Sequence, residues 1–263
     1  MTVRTGTLAR LKGAIGRLET SEDHALARAS LGHSGADAAL QGGLVRGGLH
    51  EVFAEEGRHS AAAAGFVAGL AHRVGMQRPL VWVRQDFIDI ECGALSMSGL
   101  AELGFDPSRL VMIRAADAET ALRVTADALA CDALGAVVME VWSELRALDL
   151  VASRKLTLAA RASGVTALVL RTAATPSPST AETRWIVRAA RSPPDDESNA
   201  WGAPVLDTQL VRNRHGPLGE WIMEWKCDEC LFRESAAHPQ PVAAATADRS
   251  HRTTIAVPRR RAG

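Results

Sequence analysis

The sequence predicts an α/β fold with a mostly parallel central sheet, helices on both faces, and antiparallel strands added near the C-terminal end. Apolar strands alternate with helices of about ten to fifteen residues, which is typical of parallel sheets. These strands are apolar throughout, so both faces of the sheet should be covered. The last three strands follow one another without intervening helices, so we expect them to extend the sheet antiparallel, as a meander.

Composition narrows the class of protein. The chain has 263 residues, 47% of them hydrophobic, and a net charge of zero, so overall charge does not steer it toward nucleic acid. It contains no tyrosine and few other aromatic residues, which argues against a base-stacking platform for single strands. We find no apolar signal core and no apolar run long enough to cross a bilayer, and therefore expect a soluble, cytoplasmic protein.

The first forty residues are predicted to lie outside the main domain. Four apolar residues at helical spacing indicate an amphipathic helix that packs on the domain or on a partner. Residues 20–43 are polar and glycine-rich, and they indicate a linker with one short helix near residues 25–29. The apolar positions of the first helix are Leu8, Leu11, Ile15 and Leu18.

The main domain is predicted to span residues 41–234. Gly104 should end one helix in a left-handed conformation, and Asp117 should cap the start of another. The predicted helices cover residues 60–73, 95–103, 117–130 and about 148–162, the last ending before Gly164. The predicted strands cover residues 50–53, 79–83, 110–113, 135–141, 166–170, 185–187, 205–211 and 220–225.

Two segments have the composition of irregular chain. Residues 172–182 (TAATPSPSTAE) are small and include prolines, which predicts a long, mobile loop. Residues 235–263 are dominated by Ala, Thr, Pro and Arg, which predicts a disordered tail. Its basic run, Arg259, Arg260 and Arg261, is interpreted either as a solubilising end or as a contact for an acidic or phosphate-bearing partner.

A strand, a tight loop and a helix at residues 50–73 have the layout of a phosphate-binding loop. The fixed Gly, Gly, Lys and Ser/Thr positions of such a loop are here Ala54, His59, Ser60 and Ala61. The lysine that meets phosphates and the hydroxyl that holds magnesium are both missing. We therefore predict a vestigial loop without nucleotide, cofactor or metal, formed by Ala54, Gly57, Arg58, His59, Ser60 and Ala61. An anion site made by backbone amides at the N-terminus of the helix that begins at Ser60, supported by Arg58 and His59, is still physically possible.

Acidic residues offer one further trace of a nucleotide site. Glu140 ends the apolar strand at residues 135–141, where an ATPase carries the acid that reaches magnesium. It is either a vestige of that position, able to bind metal through water, or simply a polar strand end. A third acidic group would follow the strand at residues 79–83. Its candidates are Asp86, Asp89 and Glu91.

Cysteine usage indicates neither a disulfide framework nor a complete metal site. Cys227 and Cys230 form a single CxxC pair. His238 could supply a third ligand, but structural zinc needs four. We therefore interpret the pair as two thiols at a strand end.

The order of motifs resembles a known family. GGLVRGGLHEVF, followed by a helix and LAELGFDPSRLVMIRAADAETAL, resembles a RecA-type core. The match continues through GAVVMEVW, LDLVASRKLTLAARASG, LVLR, AETRWIVRAARS and LVRNRHGPLGEWIMEW. Over about residues 40–226 this series resembles the inducible mutagenesis protein A (ImuA) family, RecA-like accessory proteins of SOS damage-induced mutagenesis.

The resemblance implies a function without catalysis. Proteins of this family act with a mutasome that contains an inactive Y-family-like polymerase homologue and an error-prone replicative-type polymerase. The chain is then expected to bind the Y-family-like partner and the RecA recombinase through its first helix and its arginine-bearing tail. It would contact DNA indirectly or weakly, and associate with the nucleoid when acting.

Two alternatives remain open. The chain could be a divergent RecA-like ATPase or DNA-binding recombinase paralogue, in which Arg58, His59 and Ser60 replace the usual phosphate contacts. The loop at residues 172–182 lies where RecA-like cores place a DNA-binding loop, but it contains no Lys or Arg. By analogy alone, a cell-division-inhibitor-like SOS protein is the other alternative.

Overall fold

A computed structural model describes residues 27–192 and 202–235 of the chain. The helices are α1 (Ser34–Ala39), α2 (Ser60–Gly75), α3 (Asp86–Cys92), α4 (Met97–Glu102), α5 (Ala118–Leu129) and α6 (Leu150–Ser163), with 3₁₀ turns at Gly57–His59 and Pro107–Arg109. The strands are β1 (Arg28–Ala29), β2 (Leu44–Val45), β3 (Leu49–Ala54), β4 (Leu80–Gln85), β5 (Leu110–Ala115), β6 (Ala136–Trp142), β7 (Thr166–Thr172), β8 (Thr183–Ala189), β9 (Val205–Asn213), β10 (Gly219–Lys226) and β11 (Leu231–Glu234).

Nine strands form the central sheet, in the order β11-β10-β9-β8-β3-β7-β6-β4-β5. The strands from β8 to β5 in this order are parallel, whereas β8, β9, β10 and β11 form an antiparallel meander. The predicted α/β class is therefore confirmed: the chain has a RecA-like core, with a mostly parallel sheet and antiparallel strands at its C-terminal side.

Strand β8 pairs differently from the prediction. We expected the last three strands to be antiparallel to the sheet, but β8 is parallel to β3 and antiparallel only to β9. Residues 173–182 join β7 to β8 without a helix. Ten extended residues reach about 33–36 Å, which is enough to return along a seven-residue strand of about 23 Å and to pass β3. The parallel crossover therefore needs no helix.

Helices cover both faces of the sheet, as predicted. On one face, α2 packs Phe66 and Leu70 against residues such as Val52 and Leu168 of the central strands. On the other face, α5 and α6 pack against strand residues of the opposite parity. Gly69 lets α2 approach closely, because an added Cβ there would lie 2.6 Å from Phe232 Cζ.

The segment that we interpreted as a linker is part of the folded domain in its described portion. Arg28–Ala29 form strand β1 rather than a helix, and α1 follows. Leu31 is fully buried, and its carbonyl accepts the backbone N–H of Phe232 at 2.9 Å. Asp37 accepts hydrogen bonds from the N–H groups of Leu31 and Gly32. The polar residues therefore build the turns that place scattered apolar residues in the core.

Local signals at helix ends are confirmed. Gly104 is left-handed (φ +86°), its N–H bonds to Ala101, and the N–H of Phe105 bonds to Leu100, which together form a Schellman motif. Asp117 Oδ1 accepts from the N–H of Thr120 at 2.7 Å. Helix α3 and strand β11 were not predicted. Among the described residues, no helix combines the length and the apolar character needed to span a membrane.

Candidate functional site

The candidate site lies at the carboxyl edge of the parallel strands. Strand β3 ends at Ala54, the 3₁₀ turn Gly57–His59 follows, and Ser60 begins helix α2, which is the predicted strand–loop–helix layout. An added Cβ at Gly57 would lie 3.1 Å from Cη2 of Trp142, so the turn rests against the tryptophan at the end of β6. The loop is therefore held close to the sheet edge.

His59, which stands at the second fixed glycine position of a phosphate-binding loop, next to the lysine position held by Ser60, is directed into the protein. Its side chain is buried, and Nδ1 accepts the backbone N–H of Ala189 in β8 at 3.1 Å. Burial, followed by the charge of Arg58, lowers the pKa of His59. A neutral imidazole bonded to β8 supplies no cation to the loop.

Arg58 is a cation within the loop itself, and it has an acidic partner. Its Nη2 lies 2.7 Å from Oε1 of Glu56, two residues earlier, and both side chains are largely exposed. The loop thus has a charged pair at its surface rather than a free cation.

Glu140 lies at the end of β6 on the same face of the sheet as α2, and it is 1% exposed. Its Oε2 accepts from Trp82 Nε1 at 2.8 Å and from Arg84 Nε at 2.9 Å. Burial raises the pKa of Glu140, and the adjacent Arg84 guanidinium opposes that rise. Two protein donors therefore occupy the carboxylate oxygen of the predicted magnesium-side acid.

The three other acidic candidates differ in their partners and in their exposure to solvent. Asp89 contacts Nη1 of Arg84, whereas Glu140 contacts Nε of the same side chain. Asp86 pairs with Arg114 at 2.7 Å on the surface. Glu91 is exposed. The structure thus brings Asp89 and Glu140 together around one arginine, and it does not assemble a cluster of three acids.

Arg84 and Trp82 are the residues of this site that the sequence argument missed. Both belong to the strand segment LVWVRQ, two positions apart, and therefore share a face. An arginine inside an otherwise apolar strand is a signal for a buried acidic partner, because an unpaired buried charge is costly. That signal was available in the sequence.

A pocket of ≈ 230 Å³ lies beside the loop. Its walls include Ser60 and Ala61 from the first turn of α2, Gly65 from the next turn, and the Arg84–Glu140 pair. Backbone amides at the start of a helix favour anions, so the pocket could take a small anion. The described residues contain no group of three or more His, Cys, Asp or Glu placed to hold a metal ion.

Hydrogen bonds join the predicted loop at residues 172–182 to the rest of the protein; its irregular part is residues 173–182, because Thr172 ends β7. Ser179 donates to Glu51 Oε2 at 2.7 Å and accepts from Arg184 at 2.8 Å. Thr180 Oγ1 lies 2.8 Å from Thr157 Oγ1 of α6. Small hydroxyl residues in this segment therefore form hydrogen bonds to the rest of the protein, which the prediction of a mobile loop did not anticipate.

The two thiols at residues 227 and 230 lie at the turn between β10 and β11. Cys230 Sγ donates to the carbonyl oxygen of Gly104 at 3.2 Å, and burial raises the pKa of both thiols. This position agrees with the interpretation as thiols at a strand end.

The predicted partner-binding residues of the first helix and of the tail lie outside the described residues, as does the candidate ligand His238. The helix and tail residues are Leu8, Leu11, Ile15, Leu18, Arg259, Arg260 and Arg261.

Comparison with known proteins finds two relatives, both with the same name. No family model matches it. Two proteins named Protein ImuA, from two strains of Caulobacter vibrioides, are each 34% identical to it over 199 residues. The match covers 70% of this chain and 77% of each relative. With the RecA-like fold and the order of motifs around the loop, this similarity shows that the chain belongs to the ImuA family.

Proposed function

We propose that this chain is a non-catalytic accessory protein of SOS-induced translesion DNA synthesis and mutagenesis. It binds a Y-family-like polymerase homologue and acts at the nucleoid in a mutasome that also contains an error-prone replicative-type polymerase. RecA is its second proposed partner. Membership in the ImuA family supports the role in SOS-induced mutagenesis. The buried Arg84–Glu140 pair is the observation on which the proposed lack of catalysis rests.

The pair argues against a working ATPase because of what magnesium requires. Magnesium in phosphoryl-transfer sites is held by carboxylates and water in near-octahedral geometry. Here Oε2 of Glu140 already accepts from Trp82 and Arg84. Recruiting Glu140 to a metal would leave the guanidinium of Arg84, itself 6% exposed, competing with the ion for the same oxygen.

The loop supports the same conclusion. The missing lysine removes a charge-assisted phosphate contact worth roughly 1.5–3 kcal/mol. Ser60 holds the lysine position, and the preceding His59 is turned away from the loop to accept the backbone N–H of Ala189. We infer that the loop is a vestigial structural element, formed by Ala54, Gly57, Arg58, His59, Ser60 and Ala61.

A second candidate, a divergent RecA-like ATPase or DNA-binding paralogue, is favoured by one observation. The ≈ 230 Å³ pocket borders the first turn of α2 and includes Arg84. It would need a phosphate to compete with Glu140 for that arginine. Strong DNA contact through residues 173–182 is disfavoured, because that segment has no Lys or Arg.

Nucleotide calorimetry and a mutagenesis assay together test the proposal. We expect no heat of binding when ATP and magnesium are titrated into the full chain. In a strain that lacks the gene, Glu140→Gln should restore damage-induced mutation as fully as the natural chain, because an amide oxygen can still accept from Arg84. Micromolar ATP binding, or loss of mutagenesis in a stably folded Glu140→Gln variant, would favour the ATPase.

The proposed partner segments are tested separately. Pull-down of the Y-family-like polymerase homologue is compared between the full chain and a chain ending at residue 234. Binding should weaken without the tail that carries Arg259, Arg260 and Arg261. A quadruple substitution of Leu8, Leu11, Ile15 and Leu18 by Ser tests the first helix in the same assay, and undiminished binding removes either segment from the proposal.

A further inference from the structure

Helix α6 exposes apolar side chains although it belongs to the folded core. Leu150, Val151 and Leu158 are 56%, 62% and 56% exposed. The opposite side of the helix is buried against the sheet through residues such as Leu156 and Ala160. Isolated exposed apolar residues are ordinary, but three on one side of one helix form a patch.

Two cations lie between these apolar residues. Helical spacing puts Leu150, Arg154 and Leu158 in one row, at i, i+4 and i+8, and Val151 and Lys155 in the adjacent row. We call these five residues the α6 face. Apolar and basic side chains therefore alternate along the outer side of the helix over about two turns.

The charge of this helix has one sign. Between Leu150 and Ser163 there are three basic residues and no acidic one. Arg161 is bound to the buried carboxylate of Glu182 at 2.9 Å. Within residues 27–192 and 202–235, neither Arg154 nor Lys155 has a hydrogen bond or ion pair. Asp149, which immediately precedes the helix, caps it by accepting from the N–H of Ala152.

We propose that the α6 face docks an acidic amphipathic segment of a partner protein. This inference rests on the proposed accessory function, because an adaptor needs partner surfaces. Carboxylates of the segment would pair with Arg154 and Lys155, while its apolar side chains would cover Leu150, Val151 and Leu158. Charge complementarity would set the orientation of the segment, and the covered apolar area would supply most of the affinity.

Nucleic acid and membrane fit this surface less well. A phosphate backbone binds best to a row of Lys and Arg side chains, whereas three of the five side chains here are aliphatic. Helices that lie on membranes separate their apolar and basic residues onto different sides, whereas the α6 face interleaves them. An acidic amphipathic protein segment satisfies both kinds of side chain at once.

The test uses the full chain and two labelled helical peptides of eighteen residues. One has leucines at i, i+3 and i+7 with glutamates beside them, and its twin has lysine for every glutamate. Binding is measured by fluorescence anisotropy. The variants are Arg154→Glu with Lys155→Glu, and Leu158→Ser. The matched control is Arg123→Glu, which reverses an exposed cation on α5, the neighbouring helix on the same side of the sheet.

We expect the natural chain and the Arg123→Glu control to bind the acidic peptide equally. The double charge reversal should weaken that binding about tenfold or more, and Leu158→Ser should also weaken it. The reversed chain should instead bind the lysine peptide. This exchange of preference would not follow from unfolding.

Several results would overturn the inference. One is no binding of the acidic peptide, and another is equal binding of it by the natural and the reversed chains. A third is that a 30-nucleotide single strand or anionic phospholipid vesicles bind more strongly than the peptide and lose this binding on charge reversal. Self-association of the natural chain that the reversal abolishes would make a second copy the occupant. If the acidic peptide binds as expected but the Y-family-like polymerase homologue does not, the proposed function fails while the α6 face stands.

Discussion

Arg84 and Glu140 are directly paired neighbours on the adjacent parallel strands β4 and β6, and Arg84 Nε donates to Glu140 Oε2 at 2.9 Å. Both side chains are buried, and Trp82 adds a second donor to the same oxygen. A buried ion pair of this kind makes each partner dependent on the other.

We predict that Arg84→Met destabilises the protein by roughly 3–5 kcal/mol, because it leaves the buried carboxylate without its counter-charge. The double variant Arg84→Met with Glu140→Gln should recover most of that loss, since the buried carboxylate is then gone and the amide oxygen still accepts from Trp82 Nε1. Urea unfolding measures both. Arg233→Met, which removes an exposed ion pair with Glu229, is the control and should change stability little. Equal losses in the single and double variants would contradict the coupling.

Acid should destabilise the protein through His50. This residue is fully buried; Nε2 is 2.8 Å from the carbonyl oxygen of Val45, and Nδ1 is 2.8 Å from Thr183 Oγ1. Burial lowers the pKa of His50 from 6.5 to about 4. Between pH 6.5 and pH 4 the unfolded chain therefore binds the extra proton, and stability falls as the pH falls.

The loss due to His50 should approach about 3 kcal/mol at pH 4. His50→Gln keeps a donor and an acceptor but cannot titrate, so its stability should depend less on pH within that window. Thermal unfolding at half-unit steps of pH compares the two chains. Parallel curves would show that His50 is not the titrating group.

Two glycines should respond oppositely to alanine. Gly104 has φ +86°, and an added Cβ would lie 2.1 Å from the carbonyl oxygen of Cys227. Gly104→Ala should therefore cost more than about 1–2 kcal/mol. Gly65 lies inside helix α2, with nothing within 4 Å of an added Cβ. Gly65→Ala should stabilise the protein by about 0.5–1 kcal/mol. Melting temperatures that move in the same direction would refute this contrast.

The segment that joins β7 to β8 should loosen when Ser179 is changed. Ser179→Ala removes a donor to Glu51 and an acceptor for Arg184, both buried, so we expect a loss of about 1–3 kcal/mol. Limited proteolysis should then cut within residues 173–182 faster than in the natural chain. Thr175→Ala, which loses only an exposed hydrogen bond to Glu144, is the control and should be cut at the natural rate.

Local patterns allowed most of the central sheet and the start of α2 at Ser60 to be predicted from the sequence. A run of apolar residues identifies a strand wherever it lies, and caps such as Asp117 mark helix starts through contacts a few residues away. The partner of Arg84 could not be found in this way. Strand β5 separates β4 from β6 in the chain, but β6 is the neighbour of β4 in the sheet, and that order depends on the whole fold.

The role of residues 28–40 was missed for the same reason. Leu31 is buried because it meets strand β11, about two hundred residues later. Its own neighbours, Ser30 and Gly32, are polar or small and indicate a loop. Sequence periodicity reports local burial only, so a residue that is buried by a distant strand gives no local signal.

The hydrogen bond between Leu31 and Phe232 also sets an order of events during synthesis. At about 5–20 residues per second, roughly 10–40 s separate the two residues as the ribosome makes the chain. From the synthesis of Phe66 until that of Phe232, against which its ring packs with centroids 5.2 Å apart, this side of α2 has no cover from β11. The side of Phe66 that Phe232 covers therefore stays without its partner until β11 has been made, and this is the period in which a chaperone would protect it.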